Sequence, residues 1–434
     1  MKSNYRKLGE YIREVNKRNK DLQVSLLLGV SISKEFIPSI ANTVGTDFSN
    51  YKIVEKGQFA YGPVTSRNGD KISIALLKED KCIISSSYMV FEIIDKSVLL
   101  PEYLMMWFRR PEFDRYARFK SEGSVREIFS WNEMCNIELP VPDIEKQRKI
   151  VEQYNQINKA IQIKEAINNN LEQQIISIFN LIIEQNKNDI DYFKLEDLCD
   201  IKGGKRLPIG DFFASEKTVH PYIRVRDLNN KLVVDLDNNF EYIDEITYSN
   251  IKNYIVKTND VLISIVGTIG LTAIVNKSLN NANLTENCVK LTNFVKVPPE
   301  YIILFLRSNM GIQEIQNGIV GAVQAKLPIK NIAAINVPIG KSDTFNNLYS
   351  SAKRIFSIIS NNQSILSNLH NMRDILLPKL MLENSDSSTA KLSFILWLNV
   401  EILTINLNLR SSFYCKIIIN NIIQLLTYFF KILV

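Results

Sequence analysis

From Ile150 onward, apolar side chains return alternately after four and three residues. Ile150, Tyr154, Ile157, Ile161, Leu171, Ile175, Ile178 and Ile182 mark the stripe, with Lys164 and Asn168 at the same register positions. Moving 198 residues along the chain gives the stripe again as Leu348, Ala352, Ile355, Ile359, Leu366, Leu369, Leu376 and Leu380, with Asn362 and Arg373 at polar positions. A 3.5-residue apolar period kept over several heptads predicts a coiled-coil seam. Two arrangements satisfy it: the copies pair with each other, or each packs as an amphipathic helix on its own domain. At ~1.5 Å rise per residue, a helix of about 35 residues spans roughly 50 Å, so a pair would hold its attached domains apart.

The segments before each helix have a different pattern. Residues 51–59, 71–77, 82–85 and 88–94 read as short strands between Gly, Asn and Ser turns, and a helical stretch from Pro101 is interrupted at Pro111. Residues 192–340 repeat this mixture, with 221–227 and 260–266 the clearest strands. The fold class predicted is therefore α+β. The 198-residue offset also relates Pro101-Glu102-Tyr103-Leu104 to Pro299-Glu300-Tyr301-Ile302, Gly123-Ser124-Val125 to Gly321-Ala322-Val323, and Ile137-Glu138-Leu139-Pro140 to Ile335-Asn336-Val337-Pro338. A repeat this long is a domain with its connector, not a solenoid unit. The divisions expected are a first mixed domain over 1–142, a helix over 143–187, a second mixed domain over 192–340, a helix over 342–382 and an apolar extension over 383–434. Asn399, Glu401, Asn406 and Asn408 interrupt the first apolar run of that extension, and Asn420, Asn421 and Gln424 the second. The pattern favours an irregular extension over a membrane anchor.

Charge and composition narrow the chemistry. Lys and Arg number 52 against 46 Asp and Glu, a net +6 that permits a nucleic-acid partner without requiring one. The five cysteines are scattered, no Cys-x-x-Cys occurs and only two histidines accompany them. This supports neither a zinc site nor a disulfide framework, and points to a reducing cytoplasm. The charged first twenty residues lack an apolar signal-peptide core. GxxxxGK[ST], HExxH, GxSxG and Asn-Pro-Pro-Tyr-like motifs are absent, so no catalytic or metal site is expected. Gly267-Thr268-Ile269-Gly270 follows an apolar run and reads as a hairpin turn.

Cations concentrate locally. Between Lys202 and Arg226, six of them (Lys202, Lys205, Arg206, Lys217, Arg224, Arg226) face Asp211 and Glu216. If Tyr222 to Arg226 is a strand, its period of two puts Tyr222, Arg224 and Arg226 on one face, presenting two guanidinium forks that can grip phosphate or guanine O6 and N7. A charged, solvated edge strand gives the same pattern. Gly203-Gly204 ahead of Lys205 and Arg206 would let backbone approach a ligand closely. The phosphate contacts expected are Lys120, Arg126, Lys202, Lys205, Arg206 and Lys326, and the base-edge contacts Arg67, Asn68, Arg224, Arg226 and Gln324. Trp107, Phe108, Phe113, Tyr116 and Phe119 have the spacing of a buried helix face.

On residues 59–84, 100–118, 139–150, 203–208, 222–228 (YIRVRDL), 260–270 (DVLISIVGTIG) and 376–381 (LLPKLM), the chain resembles the specificity subunits of type I restriction–modification systems. The resemblance implies two mixed α/β target-recognition domains in a pseudo-twofold arrangement, joined by two long antiparallel coiled-coil helices. Each domain would read one half of a bipartite double-stranded DNA site. Two methyltransferase subunits and restriction subunits would be its partners, carrying S-adenosylmethionine, ATP and Mg2+, with no cofactor on this chain. The chain itself would be non-catalytic. The first domain has no counterpart of the Gly-Gly-Lys-Arg loop, so the halves should read different sequences. Two rival readings are a stand-alone DNA-binding regulator and a coiled-coil scaffold with no nucleic-acid role.

Overall fold

The computed structural model describes residues 5–39, 45–66, 68–123, 126–228, 231–321 and 323–381. The expected extension over 383–434 lies outside them. The chain divides into two compact units, one running up to Arg148 and including the end of the second long helix from Pro378, the other spanning Lys149–Leu377.

The first unit is built on a four-stranded antiparallel sheet in the order Ile12–Glu14, Met89–Ile93, Phe59–Tyr61, Ile74–Leu76. The apolar run expected over 51–59 is two strands, Lys52–Glu55 and Phe59–Tyr61, because Gly57 at φ 84° turns the chain between them. Pro101 opens the helix Pro101–Phe108 and Pro111 opens Pro111–Phe119. Proline suits a first helical turn, where its missing N–H would have no partner anyway. Phe59 stacks on Phe91 at 4.9 Å, and Phe108 contacts Phe113 at 4.8 Å. Trp107, Phe108 and Phe113 are buried and Tyr116 is half-buried. Phe119 departs from the expected buried face: it ends its helix 84% exposed.

The second unit carries a five-stranded sheet in the order Asp200–Gly203, Cys288–Thr292, Val261–Ser264, Thr272–Val275, Val233–Val234. Beside it lies a three-stranded sheet of Glu241–Ile243, His220–Ile223 and Asn283–Leu284. The helix Pro299–Arg307 answers to Pro101–Phe108, and in both units the repeated motif does the same work. The Tyr103 hydroxyl donates to the Pro140 carbonyl at 3.2 Å, and that of Tyr301 to the Pro338 carbonyl. Each tyrosine thus ties its helix to the strand that closes the unit, Glu138–Pro140 or Asn336–Gly340.

The two long helices are Ile144–Gln185 and Asp343–Met381. Within the second unit they pair antiparallel. Beyond the C-terminal end of the first helix, Asp189 accepts the Ser342 N–H at 3.0 Å, just before the second begins. Further back along the first helix, Lys164 Nζ reaches Asn362 Oδ1 at 2.9 Å, and Asn362 Nδ2 reaches Asn168 Oδ1 at 2.8 Å. Glu165 comes within 4.0 Å of His370, still further along the second. A polar layer of this kind weakens a seam while fixing its register and orientation.

Ile150, Tyr154, Ile157, Ile161, Leu171, Ile175, Leu348, Ile359, Leu366, Leu369 and Leu380 are buried. The stripe then departs from strict heptads. Ile178 is 43% exposed, Ile182 packs at the edge of the core, and Phe179 and Ile183 take the inner positions. Phe179 lies 5.2 Å from the Tyr301 ring. A straight helix drifts from a seven-residue repeat by ~20° per heptad, and here the first helix faces the packed domain, which imposes no supercoil. In the second helix Phe356 and Leu377 are likewise buried, where Ile355 and Leu376 are half-buried.

Candidate nucleic-acid interface

In the second unit the sequence-predicted cations gather around the segment Leu284–Cys288. Gly204 and Lys205 donate backbone N–H groups to the Cys288 and Leu284 carbonyls at 3.0 and 2.8 Å. A Cβ on Gly204 would meet the Thr285 carbonyl oxygen at 2.1 Å, so this glycine serves the protein's own chain crossing and not a ligand's approach. Arg206 Nε then contacts Glu286 Oε1 at 2.8 Å. Burial alone would push the Glu286 carboxyl up, but the Arg206 hydrogen bond helps to hold it below the ordinary value. Lys205 Nζ lies 5.8 Å from the Tyr254 ring, and its carbonyl accepts from the Tyr222 hydroxyl at 2.6 Å. Lys202 is paired with Asp200 at 3.3 Å on the edge strand of the sheet.

The strand expected from Tyr222 to Arg226 ends at Ile223, and Val225–Leu228 is a helical turn. Asp227, the third residue of that turn, reaches back so that its Oδ2 accepts the Arg224 N–H at 2.7 Å, the return half of a capping box, which favours the helical turn over further strand. Tyr222 is buried, and the period-two face carrying Tyr222, Arg224 and Arg226 does not form. Both arginines nevertheless line one cleft of 530 Å³, together with Thr268, Leu271, Thr285 and Asn287. Arg224 Nη1 meets Glu241 Oε2 at 2.7 Å and Arg226 Nη2 meets Glu241 Oε1 at 3.1 Å.

A glycine-turned hairpin pairs with the chain two residues ahead of Thr268, one of the residues lining this cleft. Val320 pairs with Lys326, Gly321 has φ 95°, and Lys326 also bridges to Val266, next to the turn Gly267–Gly270. Gln324 and Lys326 are exposed, and Val323 is fully exposed at the tip. The first unit repeats the device at the 198-residue offset: Glu122 pairs with Ile128, Gly123 has φ 131°, and Ile128 bridges to Val64. Asn68 is held next to it through Nδ2 to the Val64 carbonyl at 3.4 Å, while Thr65 donates its N–H to the Glu127 carbonyl at 2.9 Å. Arg126 is exposed in the hairpin, and Lys120 precedes it with Nζ 3.6 Å from Glu133. Arg67 lies outside the described residues. In the first unit, then, Asn68, Lys120 and Arg126 collect at the glycine hairpin and the loop it bridges, whereas in the second only Gln324 and Lys326 lie on the hairpin and the other expected contacts lie around the segment Leu284–Cys288 and in the cleft.

Thr268, Thr285, Asn287 and Glu241 are members of this surface that sequence reasoning missed. The polar run Thr285-Glu286-Asn287 between apolar strands was the available signal; Glu241 gave none, since it meets Arg224 across 17 residues. Among the described residues no group of His, Cys, Asp and Glu could hold a metal ion. None of their helices is long and apolar enough to cross a membrane.

The family model for the type I restriction modification DNA specificity domain matches residues 13–173 and again 187–375. The chain belongs to this family. Its two matches follow the repeat, and each covers a mixed domain with most of its long helix. The MjaIX specificity subunit of a type I restriction enzyme from Methanocaldococcus jannaschii is 22% identical over 67% of this chain and 70% of its own length. The HindI specificity subunit from Haemophilus influenzae is 26% identical over 30% of this chain and 28% of its own. The crystal structure of the S subunit of a type I restriction-modification system from M. genitalium shares the fold, with a TM-score of 0.51 at 14% identity over 88% of this chain and 96% of the other. As a specificity subunit the chain is a non-catalytic, DNA-recognising component.

Proposed function

We propose that this chain selects a bipartite double-stranded DNA site, one half read by each mixed domain, and brings two methyltransferase subunits to it. The observation that carries the reading is the repeated hairpin. Two domains of one family each present a glycine-turned hairpin at equivalent positions, with a cation on each, Arg126 in the first and Lys326 in the second, but with different residues around it. Phosphate contacts position a protein on DNA, whereas base-edge contacts specify sequence. Lys120, Arg126, Lys202, Lys205, Arg206 and Lys326 are assigned the first role, and Asn68, Arg224 and Gln324 the second. S-adenosylmethionine, ATP and Mg2+ belong to the partner methyltransferase and restriction subunits, and the complex works in the cytoplasm. Selection from a pool of random-sequence duplexes by the full chain with its co-purified subunits tests this. Two conserved blocks at a fixed gap are expected; recovery of unselected DNA would refute it.

A further inference from the structure

Glu241 holds two of the cleft's cations at once, and it holds them unequally. Arg226 Nη2 is shared between Glu241 Oε1 at 3.1 Å and the Asn239 carbonyl at 3.3 Å, and its Nε lies 3.5 Å from Asp227 Oδ1. The Nε–Nη2 edge of Arg226 is therefore occupied by protein oxygens. Arg224 reaches Glu241 through Nη1, at 2.7 Å. The bond to Glu241 uses neither Nε nor Nη2, the two parallel donors of a guanidinium fork. The group is set 5.5 Å from the Phe213 ring, and its backbone N–H is fixed by Asp227.

The surroundings of that fork decide what it can take. Glu241 already sets a carboxylate on both guanidinium groups, which offsets the charge a phosphate would need there, whereas guanine O6 and N7 are uncharged acceptors matched to the fork's spacing. Thr285 and Asn287, which also line the cleft, offer uncharged hydrogen-bonding groups of the kind a base edge uses.

We propose that Glu241 is a positioning residue that aims the Nε–Nη2 edge of Arg224 at a guanine in the major groove. Arg226 is then part of the brace and not a second reader, a revision of its sequence-based assignment. The proposal rests on the DNA-reading role given above and adds a residue and a base to it.

The test takes the duplex selected by the unsubstituted chain and a set in which each guanine is replaced in turn. Binding of the full chain with its co-purified subunits is measured for Glu241→Gln and Arg224→Lys. A good bidentate contact discriminates by about tenfold to a hundredfold. Glu241→Gln should lose about that much preference at one guanine. Its binding to an unrelated duplex should stay level or tighten, because a negative charge is gone. Arg224→Lys, which keeps the charge but not the fork, should lose preference at the same base pair. Full preference retained by Glu241→Gln overturns the proposal, as does loss of preference at two different base pairs. Uniform weakening on all duplexes by Arg224→Lys would mark a phosphate contact and overturn it too. Should Glu241→Gln melt as an unfolded chain, Glu241→Asp, which keeps the charge but draws it back from Arg224, is read by the same criterion. No selection by the unsubstituted chain would remove the DNA-reading role itself, an outcome distinct from the others.

Discussion

Arg307, at the end of the helix Pro299–Arg307, forms an ion pair with Glu172 on the first long helix, and their side chains are only 8% and 22% exposed. Arg307 Nε also donates to Thr272 Oγ1 at 3.2 Å. Burial pulls the Arg307 group down and pushes the Glu172 carboxyl up, each opposed by the partner's charge. Glu172→Leu would take the Glu172 carboxylate away from this buried guanidinium, and removing one partner of a buried pair costs about 3–5 kcal/mol. The Thr272 hydrogen bond survives, which places the cost near the lower figure, ~3 kcal/mol. For a unit of this size each kcal/mol moves the midpoint by about 2–4 °C, so a fall of about 6–12 °C is expected in a thermal melt. The double variant Glu172→Leu with Arg307→Met removes both charges and should return to within ~1 kcal/mol of the parent, since apolar replacement of a buried pair is often neutral. A shift below about 3 °C for the single variant, or a double variant as damaged as the sum of the singles, would refute the reasoning.

Lys326→Ala should weaken binding to selected and unrelated duplexes alike and lower the slope of log affinity against log salt by about 0.9, as loss of one phosphate contact requires; a sequence-dependent loss would contradict it. Gly321→Ala forces a Cβ within 2.6 Å of the Gln324 carbonyl oxygen at φ 95°. That variant should lose DNA affinity while its melting midpoint stays within a few degrees, about the scale of 1 kcal/mol, because the hairpin is exposed. Burial pushes the thiols of Cys82, Cys199 and Cys288 up to about 12. Iodoacetamide at neutral pH should leave all three unmodified in the folded chain and label them in urea, as peptide mass spectrometry would show.

What could be read from the sequence was whatever repeats. The heptads announced the long helices because a seam requires a period, and the 198-residue offset located Tyr103 and Tyr301, Gly123 and Gly321 before their work was known. The glycines recur because each turns a hairpin at positive φ, a local demand the sequence must satisfy locally. Long-range demands left no such mark. Gly204 is needed because Thr285 crosses it, and nothing near Gly204 says so. Period-two alternation alone puts Arg224 and Arg226 on a strand, because it weighs side chains and not caps; Asp227, by binding the Arg224 N–H, favours a helical turn for the same residues. Ile178 lost its place in the seam to Phe179 because the first helix faces Tyr301 there and no longer only a partner helix.

The central claim is that this chain chooses the address for a methyltransferase that does the chemistry. Sequencing the methylated bases of the source genome with this gene intact and deleted tests it most directly. The prediction is loss of adenine methylation at one two-part motif of fixed gap, with every other methylated motif unchanged. An identical methylation pattern in a cell that retains an active methyltransferase partner would contradict it.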